Sequence, residues 1–185
     1  NTLKYNRIIY TMIQRKNKKP SIGIIGRGSF SQLLKRLLKP YASVINLIGR
    51  DASQQERDAV FKCDIVILSV TLDAYPKVLK ELRAKLKPGT LLVDVCSVKV
   101  IPANLINEYL PNHKNLLLSH PLFGPQSAKE STTNLKFIVT GSVGGRAKEL
   151  VYFCQNKLKL SIIYMTAEDH DRAMAYTHAL TFFVS

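Results

Sequence analysis

Cysteine is scarce: Cys63, Cys96 and Cys154 are odd in number, widely spaced and without a C-x-x-C pair. That pattern excludes a disulfide framework and offers no zinc-ligand spacing, so no metal is expected and a reducing cytoplasm fits best. Long apolar runs are also missing. No stretch approaches the roughly 18 residues needed to span a bilayer, and the N-terminus lacks a secretory h-region followed by small cleavage-site residues. The chain therefore reads as soluble, with no membrane partner. It starts at Asn1 rather than Met and stops at Ser185 inside an apolar-periodic segment, so the expectation is a piece of a larger protein with an incomplete C-terminus.

Acidic residues are few. Against 27 Lys and Arg stand 13 Asp and Glu, giving a formal charge of +14. Such a balance can serve nucleic acid, an anionic membrane or anionic small ligands, and its distribution separates them. Residues 1–20 carry Lys4, Arg7, Arg15, Lys16, Lys18 and Lys19 with no acid, which marks a basic, solvated lead-in. Beyond it, the surplus cations are scattered among acids along helices. No nucleic acid is expected; a phosphorylated cofactor and a carboxylate-bearing substrate suit this surface. Hydrophobic residues make up 46% of the 185 positions, ample for one packed domain and unlike a disordered chain.

After Pro20, short apolar runs alternate with helix-period stretches. Ser21–Ile25 reads as a buried strand, and Phe30, Leu33, Leu34, Leu37 and Leu38 fall on one helix face that Pro40 ends. Val44–Ile48 predicts a second strand, and Asp58–Phe61 a short third. Asp64–Val70 has the continuous apolar character of a strand covered on both faces in a parallel sheet. A helix through Ala74, Val78, Leu79, Leu82 and Leu86 stops at Pro88-Gly89. Leu91–Val95, Asn115–Ser119, Leu135–Thr140 and Leu160–Tyr164 follow as strands, with helices at Ile101–Leu110 and Arg146–Leu158 between them. Thr166 is placed to cap a last helix, with Asp169 as a weak capping-box partner. This order predicts an α/β, doubly wound, Rossmann-type and mostly parallel sheet over residues 21–164, followed by residues 165–185 as the start of an all-helical second domain.

Gly26-Arg27-Gly28-Ser29-Phe30-Ser31 closes the first strand and opens the first helix. A bare G-x-G-x-x-G is a weak signal; between strand and helix it predicts backbone N–H groups held against a pyrophosphate at the helix N-terminus. Gly26, Gly28, Ser29, Phe30 and Ser31 are the expected cofactor contacts, Ser31 standing where Gly or Ala is usual. The competing reading is a plain tight turn. About 20 residues on, an NAD site usually places an acid for the ribose 2′-hydroxyl. Here Gly49 holds that register and Arg50 follows, which favours NADP over NAD, since a guanidinium can clamp a 2′-phosphate; Asp51 takes the acidic role if the register slips by two.

Three further segments end strands on the same expected edge: Ser69-Val70-Thr71, Cys96-Ser97-Val98-Lys99 and Ser119-His120-Pro121-Leu122-Phe123-Gly124-Pro125. Ligands of open α/β sheets bind beyond the carboxyl ends of strands, so Ser69, Val70 and Thr71 join the cofactor contacts. A neutral His120 there could accept a hydroxyl proton as hydride leaves, or it could be a turn histidine bonded to a carbonyl. Ser97 could bond the same hydroxyl or orient His120, and Lys99 could attract a substrate carboxylate; alone, such residues are more often caps or solvated charges. Cys96 reads as a small buried residue. For His170 and Asp171, opening the last helix, capping is the simpler reading.

Val93-Asp94-Val95-Cys96-Ser97-Val98-Lys99, then His120–Pro125, then Glu168-Asp169-His170-Asp171 resemble the ordered blocks of the prephenate and arogenate dehydrogenases, with the glycine loop at the matching distance upstream. The resemblance implies oxidative decarboxylation of prephenate or arogenate, with Ser97 and His120 on the ring hydroxyl and Lys99 assisting substrate binding. It also implies a homodimer formed with an intact second domain. Phe182 stands where many relatives carry a histidine, and His178 lies one turn earlier. Another Rossmann-type dehydrogenase, of the β-hydroxyacid or imine-reductase kind, would begin alike, though the His-Pro block argues against it. A non-catalytic nucleotide-binding module, or a nucleic-acid binder that uses the basic lead-in, is the remaining reading.

Overall fold

A computed structural model describes residues 19–184, and of 178–184 the backbone course alone. The basic lead-in up to residue 18, and the side chains of His178 and Phe182, lie outside the described residues.

Seven strands form one sheet in the order β2-β1-β3-β4-β5-β6-β7. They are β1 (Ser21–Ile25), β2 (Val44–Ile48), β3 (Ile65–Leu68), β4 (Leu91–Asp94), β5 (Leu116–Pro121), β6 (Lys136–Val143) and β7 (Ser161–Tyr164). β1 to β5 are mutually parallel; β6 runs antiparallel to β5 and parallel to β7. The helices are α1 (Ser29–Leu38), α2 (Gln54–Phe61), α3 (Tyr75–Lys85), α4 (Val100–Tyr109), α5 (Gly145–Asn156) and α6 (Ala167–Val184).

Alternate strand residues feed two cores, because side chains alternate across a sheet. On one face Ile25, Leu68 and Leu92 pack with Phe61, Leu79, Leu82 and Ile106 of α2, α3 and α4. On the other, Ile24, Ile67 and Val93 pack with Leu38, Ala147 and Val151 of α1 and α5. Helices on both faces explain why β3 and β4 read as continuous apolar runs. The sheet is thus doubly wound and mostly parallel, as the sequence pattern predicts.

The expected strand at Asp58–Phe61 is instead the end of α2. Ser53 accepts from the Glu56 backbone N–H at 3.3 Å, while the Glu56 carboxylate accepts from the Ser53 N–H at 2.8 Å. This reciprocal cap satisfies two orphan donors and starts a helix whose apolar residues Val60 and Phe61 fall in its last turn. α6 begins with the Asp169 N–H donating to Thr166 Oγ at 3.0 Å, and packs against α4 and β6. Among the described residues no helix is long and apolar enough to cross a membrane.

Candidate functional site

In register, Ile25, Leu68, Asp94 and Leu118 stand side by side, so β1, β3, β4 and β5 release their next residues along one edge. At the first of these, Gly26 adopts φ +125°, and a Cβ there would sit 1.9 Å from the Ser69 carbonyl oxygen. Only glycine fits. Its N–H donates to Ile48 O at 2.8 Å and Ser69 N–H donates to Ile25 O at 2.9 Å, which ties the ends of β2, β1 and β3 together. Gly28 differs: a Cβ would meet nothing within 4 Å, so its missing side chain leaves open space above the N-terminus of α1. That helix has no side-chain cap and no acid in its first turn, a setting that favours an anion.

An open cleft of about 700 Å³ lies here, lined by Gly26, Arg27 and Gly28, by Gly49 and Arg50, and by Ser69, Val70 and Thr71. The structure thus gathers the expected glycine, β2-end and β3-end residues around one cavity. Ser31 is a correction. It is fully buried with its hydroxyl 2.9 Å from Ser69 Oγ, so it braces the loop from beneath instead of facing the cleft. Phe30 reaches the other way, its ring 6.2 Å from that of Phe123, which brings the loop after His120 back to the glycine helix. Ser29 is exposed at the first position of α1.

At the end of β2, the Arg27 side chain crosses Gly49, where a Cβ would approach its Cδ to 2.8 Å. Its guanidinium pairs loosely with Asp51 at 3.4 Å. Arg50 lines the cleft, and its carbonyl accepts from Arg57, whose guanidinium also holds Glu81 at 3.1 Å. Asp51, the acid that a shifted register would use, is already engaged by Arg27.

His120 sits near the end of β5, just past a bulge between Leu118 and Ser119. Its Nδ1 lies 2.8 Å from His170 Nε2, and His170 Nδ1 lies 2.7 Å from Asp171 Oδ1. The Asp171 carboxylate also accepts the backbone N–H groups of Lys99, at 2.7 Å, and Val100, at 2.9 Å. Burial opposes its ionisation, but these N–H groups and the His170 ring together hold its pKa below the usual aspartate value. For His170 and Asp171 the sequence favours capping over catalysis. Their signs in the sequence are their place at the start of the last helix and their membership of the third resembling block, and local pattern carries no trace of a contact fifty residues away.

Lys99 corrects another expectation. It is 1% exposed, with its ammonium bonded to the Asp94 carboxylate and, at 2.6 Å, to the Ser119 carbonyl. A cation so enclosed cannot reach out to a substrate carboxylate; it fixes the backbone beside His120. Tyr75 donates its hydroxyl to the same Asp94 carboxylate, and burial followed by that negative charge drives the phenol pKa far up. Ser97 is exposed on the turn after β4, the strand adjacent to β5. Cys96 is buried, which raises its thiol pKa and keeps it unreactive. Among the described residues no group of three His, Cys, Asp or Glu side chains could hold a metal ion.

Residues 41–159 match the family described as prephenate dehydrogenase, nucleotide-binding domain. Arogenate dehydrogenase 2, chloroplastic, of Arabidopsis thaliana is 29% identical over 193 residues, covering 90% of this chain and 52% of that protein. Cyclohexadienyl dehydrogenase of Zymomonas mobilis is 28% identical, covering 86% of this chain and 62% of the relative. The chain spans about half the length of the first of these relatives. Among solved structures, prephenate dehydrogenase from Aquifex aeolicus in complex with hydroxyphenyl propionate and NAD+ superposes with a TM-score of 0.67 at 18% identity, covering 89% of this chain and 68% of that one. An imine reductase from Myxococcus stipitatus gives 0.64 at 21%, covering 89% and 62%. At such identities these superpositions speak for the fold.

Proposed function

Since this chain belongs to the family of prephenate dehydrogenase nucleotide-binding domains, we propose that it serves an NAD(P)-dependent oxidative decarboxylation of prephenate or arogenate, the step that yields the tyrosine precursor. The observation that carries the reading is the shared strand-end edge. His120 stands three strands from the Gly26 turn, about 14 Å at ordinary strand spacing, on the side where the Phe123 loop meets the glycine helix. That separation suits a dinucleotide with its diphosphate over Gly28 and its reactive ring beside His120.

The residues present fit the cofactor. Gly26 makes the turn, Gly28 leaves the space, and Ser29 and Phe30 open the helix. Ser69, Val70 and Thr71 wall the cleft beyond β3. A bound oxidised nicotinamide supplies the hydride acceptor. His120 accepts the proton of the substrate hydroxyl as hydride leaves the same ring carbon, and the ring carboxylate departs as carbon dioxide, its electron pair completing the aromatic ring. Ser97 is assigned a hydrogen bond to the hydroxyl. NADP is favoured over NAD because Gly49 puts no acid at the ribose position while Arg27 and Arg50 border it. Residues 21–164 are assigned as the dinucleotide domain and 165–185 as the first helix of a helical domain through which the protein forms its homodimer. The three buried, unpaired cysteines favour a cytoplasmic setting.

The test is reduced-cofactor formation from each substrate, using a version extended to the relatives' length, with His120→Asn beside it. The expected loss in kcat is about 10²- to 10⁴-fold, the range for a general base. Undiminished turnover in His120→Asn would overturn the assignment.

A further inference from the structure

We infer that His170 and Asp171 are positioning residues for His120: a carboxylate–imidazole–imidazole chain that fixes which ring nitrogen of His120 receives the substrate proton. The inference deepens the proposed function and rests on it for the reaction, while its geometry stands independently.

Donor accounting dictates the direction of the chain. A carboxylate held below the usual aspartate pKa is anionic at neutral pH and can only accept. His170 Nδ1, 2.7 Å from Asp171 Oδ1, must therefore carry a proton and donate it. A neutral His170 then offers a lone pair at Nε2, 2.8 Å from His120 Nδ1, so His120 must donate from Nδ1. Its own lone pair is left on Nε2, the ring nitrogen opposite the one that faces His170. The acceptor of the hydroxyl proton is thus set by a partner two links away.

The same chain responds to charge. When His120 takes up the proton it becomes an imidazolium, and its Nδ1–H bond to His170 becomes charge-assisted, with the Asp171 carboxylate behind it as the compensating charge. His170 is 0% exposed, so water does not compete for either of its nitrogens. Asp171 is pinned by the backbone N–H groups that open α4, and Lys99, whose N–H is one of them, holds the Ser119 carbonyl next to His120. Both ends of the relay are therefore anchored to one buried frame. The nearby Lys99 ammonium is neutralised by Asp94, and on α6 the exposed Arg172 pairs with Asp169. Asp171 is the anion that His170 contacts.

Side-chain 15N NMR of the four histidines in the 185-residue chain tests this without substrate. At about pH 8.5, roughly two units above an ordinary imidazole pKa, the wild-type His120 ring should show a protonated Nδ1 and an unprotonated Nε2. His170→Phe should move the proton to Nε2, whereas His170→Gln, whose amide can accept from His120 and donate to Asp171, should keep it on Nδ1. In the extended enzyme, kcat should fall about 10²-fold in His170→Phe with KM little changed, and recover most of that loss in His170→Gln. A wild-type His120 protonated on Nε2 overturns the relay whether or not either variant folds. The expected tautomer without turnover of prephenate or arogenate would instead refute the reaction and leave the relay standing.

Discussion

Two glycines two residues apart do different work, and alanine separates them. Gly26→Ala forces a Cβ to within 1.9 Å of the Ser69 carbonyl at a positive φ, so the turn between β1 and α1 must rebuild. Gly28→Ala meets nothing in the protein and sits at an ordinary φ of −63°. Thermal melts should show Gly26→Ala strongly destabilised and Gly28→Ala close to wild type, while calorimetric titration should show dinucleotide binding weakened at least about tenfold by Gly28→Ala, the added methyl standing where the diphosphate approaches. A cofactor affinity that Gly28→Ala leaves unchanged would show that nothing docks there. Lys99 calls for the opposite pair of readouts. Removing one partner of a buried ion pair leaves the other uncompensated, so Lys99→Met should cost about 3–5 kcal/mol in urea unfolding, with only neutral donors, the Tyr75 hydroxyl and the Cys96 N–H, left on the Asp94 side chain. A residue that merely contacted substrate would leave stability intact and raise KM.

α2 and α6 show how far local pattern carries. Ser53 and Glu56 are three residues apart before a helix, a spacing that announces a cap. Yet a short apolar run such as Ala59-Val60-Phe61 also suits a strand, and Asp58–Phe61 reads that way until the cap is weighed. Ser53→Ala should therefore cost about 1 kcal/mol, the usual value of such a cap, with the loss of amide protection confined to α2 in hydrogen exchange. At α6 the cap at Thr166 is legible from sequence, but the relay is not, because it joins α6 to β5 and to the N-terminus of α4. Asp171 leaves a signature in pH. Its folded pKa lies below the unfolded one, so its contribution is complete above the ordinary aspartate range of about 4 and is lost as pH falls through the lower folded value. In acid unfolding, wild type should lose stability over that window, whereas Asp171→Asn should start less stable at neutral pH and change less below about pH 4. Parallel acid curves for the two proteins would show that the carboxylate is not held as described.

At the scale of the molecule, the parallel sheet and the edge on which the loops gather follow from the alternation of strand and helix periods, since strands joined through helices run parallel and end along one edge. The glycine turn, the β3 end and the His-Pro turn share that edge because β1, β3, β4 and β5 are mutually parallel. What the rule cannot supply is depth: Ser31 and Lys99 read as ligand contacts because nothing in a sequence says that a hydroxyl or an ammonium turns inward. Net charge is the other global property, and it separates the two uses of a basic chain. Of the positive charges, Lys4, Arg7, Arg15, Lys16, Lys18 and Lys19 lie before Pro20, whereas the cleft is lined by Arg27, Arg50, Arg57 and Lys77, largely offset by Asp51, Asp73 and Glu81. If the protein's ligand is a dinucleotide, deleting residues 1–19 should leave its affinity within about twofold, and added salt should weaken it only modestly, as few charges meet. If the ligand is a polyanion, the same deletion should abolish binding, and affinity for duplex DNA should fall roughly 10³-fold or more between about 50 and about 200 mM salt through counterion release. Fluorescence titrations of the full and shortened chains with NADP+ and with a DNA duplex decide between them. Steep salt dependence that tracks residues 1–19 and ignores Gly28→Ala would move the protein's function from its sheet edge to its basic lead-in.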